Sequence, residues 1–260
     1  MSDWYFIEDK LPYSPYLNMA IDEYLFNECH KDKVGFFRVY SWDRPSFSIG
    51  VSQKVSKAVD LDYIRKNKFG FVRRITGGKT VLHNNEITYS VISSEEKFFE
   101  HNNLYRSYSL IADVIVNTLT RSGIKVKLSE GNPGLLSKSS NPCFSFPTPN
   151  EIEARGKKIV GSAQKRDKVA LLQHGSIPLT MDYTLYSAGT GFSEEVIREN
   201  MTTIGDESDV GRDMLVKNFL ASFENFLGKN LIKYEYSGND MLEIRKLEKK
   251  YESEKWNLSI

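Results

Sequence analysis

The chain has 260 residues, 40% of them hydrophobic and 27% charged, enough for a sizeable apolar core in one large domain or two small ones. Thirty-five basic against 34 acidic side chains leave a net charge of +1, which removes any overall electrostatic case for nucleic-acid or membrane binding. Two cysteines, Cys29 and Cys143, are too few for a disulfide framework, and neither a secretion signal nor an apolar run of about 18 residues is present, so a cytoplasmic protein with free thiols is expected.

Residues 4–7 read as a short strand. After Pro12 and Pro15, the spacing of Leu17, Ile21, Tyr24, Leu25 and Cys29 predicts a helix over residues 16–30, with Ser14 or Asn18 near its start. Residues 35–42 and 46–53 read as two strands joined by the turn sequence Asp43-Arg44-Pro45. A short helix over residues 59–70, ended by Gly70, precedes a strand at 71–76, a bend at Gly77-Gly78 and a strand at 86–93. Leu104, Tyr108, Ile111, Ile115 and Leu119 form one stripe of a helix that ends at Gly123. Residues 124–129 are strand-like. Residues 130–150 are a loop rich in Ser, Asn, Pro and Gly, and loops of that length are often functional. Short strands return over residues 152–179, and the last third is mostly helical, notably 213–230 and 239–256. With no repeat and no linker, one α+β domain over residues 1–260 is expected. Strands come in adjacent hairpin-like pairs without β-α-β alternation, which favours a mixed or antiparallel sheet flanked by helices.

Few residues carry chemistry on their own. Cys29, on an apolar helix face, reads as a buried inert thiol. Cys143 sits in the polar stretch Ser-Ser-Asn-Pro-Cys-Phe, where it is either an ordinary buried thiol or a nucleophile activated by a nearby cation. Lys157 and Lys158 follow Gly156 and are either a solvated turn or a source of one ammonium aimed at a developing oxyanion. His83 and His174 read as structural histidines, and no second ligand stands at zinc spacing. Neither a phosphate-binding P-loop nor a Gly-x-Ser-x-Gly elbow occurs.

Six segments, residues 18–25, 37–53, 73–83 (Arg-Arg-Ile-Thr-Gly-Gly-Lys-Thr-Val-Leu-His), 86–91, 156–164 (Gly-Lys-Lys-Ile-Val-Gly-Ser-Ala-Gln) and 172–179, stand in the order found in the lipoate–protein ligase and octanoyltransferase family. Residues 249–257 also look like the end of that catalytic domain. The resemblance covers nearly the whole chain. It implies the single catalytic domain shared by biotin and lipoate ligases, without a C-terminal accessory domain. It further implies that Arg73, Arg74, Thr76, Gly77, Gly78, His83, Gly161, Ser162 and His174 form the substrate site, with no metal ligands. The family lysine falls on Lys158, not Lys157. Lys79 stands where a third glycine is frequent, a place where a basic residue resembles the octanoyltransferases.

Cys143-Phe144, shortly before the glycine-lysine segment, is similar to the cysteine-dependent octanoyltransferase branch. That resemblance implies Cys143 as nucleophile, Lys158 as oxyanion partner and no cofactor. The donor would be octanoyl–acyl carrier protein. The acceptors would be lipoyl domains, such as the glycine-cleavage H protein or a 2-oxoacid dehydrogenase E2 subunit. The alternatives are an ATP- and magnesium-dependent lipoate–protein ligase, an amidotransferase between lipoyl domains, or a silent binding protein.

Overall fold

A computed structural model describes residues 3–95, 104–129 and 151–260. The largest sheet is built from β1 (Trp4–Glu8), β2 (Gly35–Tyr40), β6 (Glu86–Ser93), β10 (Gly161–Arg166), β11 (Leu171–Pro178) and β12 (Ile232–Lys233), in the order β10-β11-β6-β2-β1-β12. Its β10-β11-β6-β2 half is antiparallel, whereas β1 runs parallel to both β2 and β12. A second sheet sets β3 (Ser46–Ile49) between β4 (Gly70–Arg73) and β5 (Val81–His83). A third joins β7 (Lys127–Leu128), β8 (Ile152–Ala154) and β9 (Lys157–Lys158), all antiparallel.

Both faces of the large sheet are covered, and this explains why every residue of β2, Arg38 included, is buried. Phe36 and Tyr40 point to one face, where α1 (Pro15–Asp32) and α9 (Gly238–Glu252) bring Ile21, Leu25, Ile244 and Tyr251. Phe37 and Val39 point to the other, against Ile111 and Ile115 of α4 (Leu104–Arg121) and Phe219 and Phe223 of α8 (Arg212–Leu227). Side chains alternate along a strand, so a strand buried on both sides shows no polar alternation. Each such side chain contributes about 1.5–3 kcal/mol on burial. The small sheet has its own core with α2 (Val55–Ala58), α3 (Leu61–Lys66), α5 (Tyr183–Thr190) and α6 (Glu194–Asn200), centred on Phe47, Leu82, Ile64 and Tyr186. The short α7 (Ile204–Glu207) and α10 (Glu254–Asn257) close the order.

Helix α1 begins as its sequence dictates. Pro15 occupies the first turn, and the Ser14 hydroxyl accepts from the Leu17 amide at 3.1 Å. Asn18 does different work, donating to the Tyr13 and Ser41 carbonyls.

Three expectations need correction. Residues 35–42 and 46–53 do not pair across Asp43-Arg44-Pro45: β2 lies between β1 and β6, and β3 between β4 and β5, in separate sheets. The local turn sequence is real, but the partners are chosen by distant packing. The helix expected to run to Gly70 stops at Lys66, because Lys68 adopts a left-handed φ of 57° and Gly70 already belongs to β4. The strand-like residues 124–129 contribute only Lys127–Leu128. Among the described residues, no helix is long and apolar enough to cross a membrane.

Candidate active site

Between the large and small sheets lies a pocket that opens to solvent. Met19, Tyr40, Trp42, Val81 and Ala163 give it apolar wall; Ser48, Arg74, His83, Ser162 and His174 give it polar points. That mixture suits a ligand with a long apolar body and one polar end.

Arg74 organises the polar side. Its guanidinium donates to the Thr76 hydroxyl (3.1 Å), the Ser48 carbonyl and hydroxyl (both 3.1 Å), and the Gly77 and Lys79 carbonyls (both 2.8 Å). From the two hydroxyls run two parallel relays. Thr76 bonds Nε2 of His174 at 2.7 Å, and Nδ1 of His174 bonds Asp22 at 2.9 Å. Ser48 bonds Nε2 of His83 at 2.7 Å, and Nδ1 of His83 bonds Glu86 at 2.8 Å. Carboxylates accept only, so these networks assign the N–H of each ring to Nδ1 and leave Nε2 to accept from the hydroxyl. His83 also stacks on Trp42, with ring centroids 3.9 Å apart and planes 13° from parallel. Glu86 accepts further from Ser176 at 2.6 Å and from Thr88, whose oxygen takes the Trp42 indole N–H at 2.8 Å.

The glycine bend is therefore held from inside. Arg74 grips two of its carbonyls, and Gly78 turns with φ +87°. A Cβ on Gly50 would lie 2.2 Å from the Gly78 carbonyl oxygen; only glycine allows that approach.

Asp22, fully buried on α1, also accepts from Arg38 at 2.8 Å, Tyr40 at 3.0 Å and Ser90 at 3.0 Å. Burial alone would raise its carboxyl, but the His174 hydrogen bond and the Arg38 charge outweigh it, so Asp22 titrates low. Burial holds His174 below the ordinary imidazole range; Asp22 offsets this in part, while Arg74 and His83 push the same way as burial.

The sign of the pH effect follows. Below about pH 6.5 an unfolded His174 takes up a proton the fold resists, and below about pH 4 an unfolded Asp22 does likewise. Both contributions are present above those ordinary values and are lost as pH falls through the window toward the folded ones. The denaturant midpoint is expected to fall from about pH 7.5 to 5 and again below about 4, and His174→Gln is expected to flatten the upper step. A wild-type midpoint constant between about pH 7.5 and 5 would contradict this.

Lys158 is on β9 with its side chain 1% exposed and its Nζ 2.5 Å from the Glu151 carboxylate. Lys157, next to it, is half-buried and donates to the Arg198 carbonyl at 2.7 Å. Tyr108 lies close by, its hydroxyl pushed up by burial and feeling the charges of Lys158 and Glu151. Ser162 bonds Tyr89 at 2.8 Å, and burial pushes the Tyr89 hydroxyl up to about 12, so it stays neutral. The carbonyl of Glu151 accepts from the Ser129 amide at 2.7 Å. The described chain on either side of residues 130–150 is thus joined beside Lys158.

Of the residues singled out in the sequence, Arg74, His83, Gly161, Ser162 and His174 line the pocket, Thr76 stands directly behind it, and Gly77 and Gly78 form its bend. Arg73 does not join them: its guanidinium holds the carbonyls of Gly50, Val51, Gln53 and Asn257. Cys143 lies outside the described residues. Glu86, Ser48 and Glu151 carried no signal of their own at the level of sequence. Asp22 had one signal, a carboxylate on the helix face marked by Ile21 and Leu25. Cys29 is fully buried, its thiol pushed up by burial and donating to the Val34 carbonyl. Among the described residues, no three His, Cys, Asp or Glu side chains are grouped to hold a metal ion.

Comparison with known proteins fits this arrangement. Residues 14–225 match the lipoyl protein ligase A/B catalytic domain. Octanoyltransferase LipM of Bacillus cereus is 35% identical over 265 residues, covering 94% of each chain. Octanoyltransferase LipM of Halalkalibacterium halodurans is 34% identical over 274 residues, covering 99% of each. Protein Ta0514 of T. acidophilum, solved with bound lipoic acid, superposes with a TM-score of 0.83 at 25% identity over 100% of both chains. Lipoate-protein ligase A bound with ATP gives a TM-score of 0.83 at 25% identity, covering 99% of this chain and 98% of that one. The present chain belongs to the lipoyl protein ligase A/B catalytic-domain family, and it is an acyltransferase.

Proposed function

We propose that this protein moves an octanoyl group from the thioester of acyl carrier protein to a lysine amine of a lipoyl domain, through a thioester on Cys143. The observation that carries the reading is the buried Lys158 ammonium beside the joined ends of the segment that contains Cys143. Cys143 is eight residues from Glu151, and an extended chain of that length reaches about 26–29 Å. The relatives named octanoyltransferase, alike over 94–99% of the chain, support the acyl group.

In the first half-reaction the Cys143 thiolate attacks the donor carbonyl, and Lys158 donates to the oxyanion as it forms. Collapse breaks the donor carbon–sulfur bond, and the carrier thiolate leaves and takes a proton from water. In the second, the acceptor amine attacks the enzyme thioester, loses a proton and expels the Cys143 thiolate. A thioester becomes an amide, so the transfer runs downhill without ATP. The apolar wall of Met19, Tyr40 and Trp42 suits the acyl tail, and the Arg74 relays keep the glycine bend in one shape.

A second reading, an ATP- and magnesium-dependent lipoate ligase, draws on the ATP-bound ligase that this fold matches at 25% identity. Three incubations separate the readings, each with an apo lipoyl domain as acceptor. Octanoyl–carrier protein without ATP is expected to give the octanoylated domain. Free octanoate with ATP and magnesium is expected to release no pyrophosphate. An octanoylated H protein as the only donor tests amidotransfer. Product from the second incubation alone would replace the transferase with a ligase, and product from the third alone would change the donor.

A further inference from the structure

The Lys158 side chain is almost wholly removed from water, and a buried ammonium without a counter-charge is disfavoured by several kcal/mol. Its counter-charge is held with care. Glu151 Oε1 lies 2.5 Å from Nζ. The Glu151 carbonyl is fixed by the Ser129 amide, and its neighbour Ile152 pairs with Leu128 in the β7–β8 ladder. The lysine's own backbone is fixed from the other side, because its carbonyl accepts from the Thr202 amide at 3.0 Å. Glu153 stands opposite Lys158 in the β8–β9 register. Tyr108 of α4 faces the pair with its hydroxyl kept neutral by burial. Helix α4, the β7–β8 ladder and the segment after α6 therefore converge on one ion pair.

We propose that Glu151 is the positioning residue of the acyl-transfer site, its carboxylate holding the Lys158 ammonium charged and aimed at the acyl carbonyl oxygen. This rests on the role given to Lys158 under the proposed function. An ammonium carries three N–H donors, so the bond to Glu151 is compatible with a second bond to the oxyanion. Glu151 itself does not touch substrate. It also ties the lysine's charge to the chain end next to the segment carrying Cys143.

The test is steady-state octanoyl transfer from octanoyl–carrier protein to an apo lipoyl domain across the pH range, with E151Q, E151D and K158M. E151Q is expected to lower kcat about 10- to 100-fold with KM little changed, as a misplaced group does. Its alkaline limb is expected about one pH unit or more lower, since a buried lysine that loses the carboxylate beside it gives up its proton more readily. E151D is expected to keep the wild-type limb with kcat about tenfold down, because the carboxylate is retained but withdrawn by one methylene. A merely structural glutamate would alter thermal stability and leave the limb in place. Wild-type kcat and limb in E151Q, beside an inactive K158M, would overturn the proposal and leave the lysine reading intact. Wild-type turnover in K158M would overturn the lysine reading, and the glutamate proposal with it. Where E151Q does not fold, E151D carries the test, and an unchanged kcat there would overturn the proposal.

Discussion

Arg38→Met is expected to destabilise the fold by about 3–5 kcal/mol, because it leaves buried carboxylates without their counter-charge. Arg38 is completely buried on β2. It bonds Asp9 at 2.7 Å, Asp22 at 2.8 Å and the Asn18 side chain at 2.9 Å, and its guanidinium lies 3.8 Å from the Tyr40 ring centroid. Methionine fills similar volume, so a cavity is not the main loss. The loss is electrostatic: Asp9 and Asp22 would have to take up protons or draw in water. Against a usual total stability of about 5–15 kcal/mol, that change brings a domain close to unfolding. It also reaches the pocket, since Asp22 orients His174. Guanidinium denaturation at neutral pH reads it directly. A loss under about 1 kcal/mol would mean that the carboxylates tolerate each other or are already neutral.

Cys143→Ser is expected to lower octanoyl transfer from carrier protein by about a thousandfold or more, the scale on which removed nucleophiles act. A serine hydroxyl is not ionised near neutral pH, and Lys158, an ammonium paired to Glu151, is no base for it. The variant should fold as the wild type does and still bind an octanoyl group in the pocket. The two halves of the effect separate in rapid-mixing kinetics: release of the carrier thiol should vanish, not merely slow after a first turnover. Activity within about tenfold of wild type would remove the cysteine from the mechanism.

Much of the scaffold was legible from local signals. Pro15 after Ser14 marked the start of α1, and the stripe through Ile111, Ile115 and Leu119 marked the buried face of α4. The family pattern chose Lys158 over Lys157; in the fold Lys158 is buried and Lys157 half-buried. The glycine bend was visible because Gly78 needs its positive φ. What escaped was non-local. Asp22 and His174 are 152 residues apart in sequence, and nothing in either neighbourhood announces the other. Arg73 and Arg74 look equivalent as letters, yet the end of β4 sends one toward Asn257 and the other into the pocket; strand alternation already required them to part. The turn Asp43-Arg44-Pro45 suggested a hairpin because strand partners cannot be read from a turn alone. Glu151 lay at the edge of a polar loop, and only the sheet register brings it to a lysine seven residues on.

The most direct test is the intact mass of the protein after mixing with octanoyl–carrier protein alone, with no acceptor and no ATP, followed by peptide mapping. The account predicts a single octanoyl addition on the peptide containing Cys143, labile to hydroxylamine and discharged when an apo lipoyl domain is added. An unmodified enzyme that nonetheless octanoylates the domain, or an adduct that persists on C143S, would contradict it.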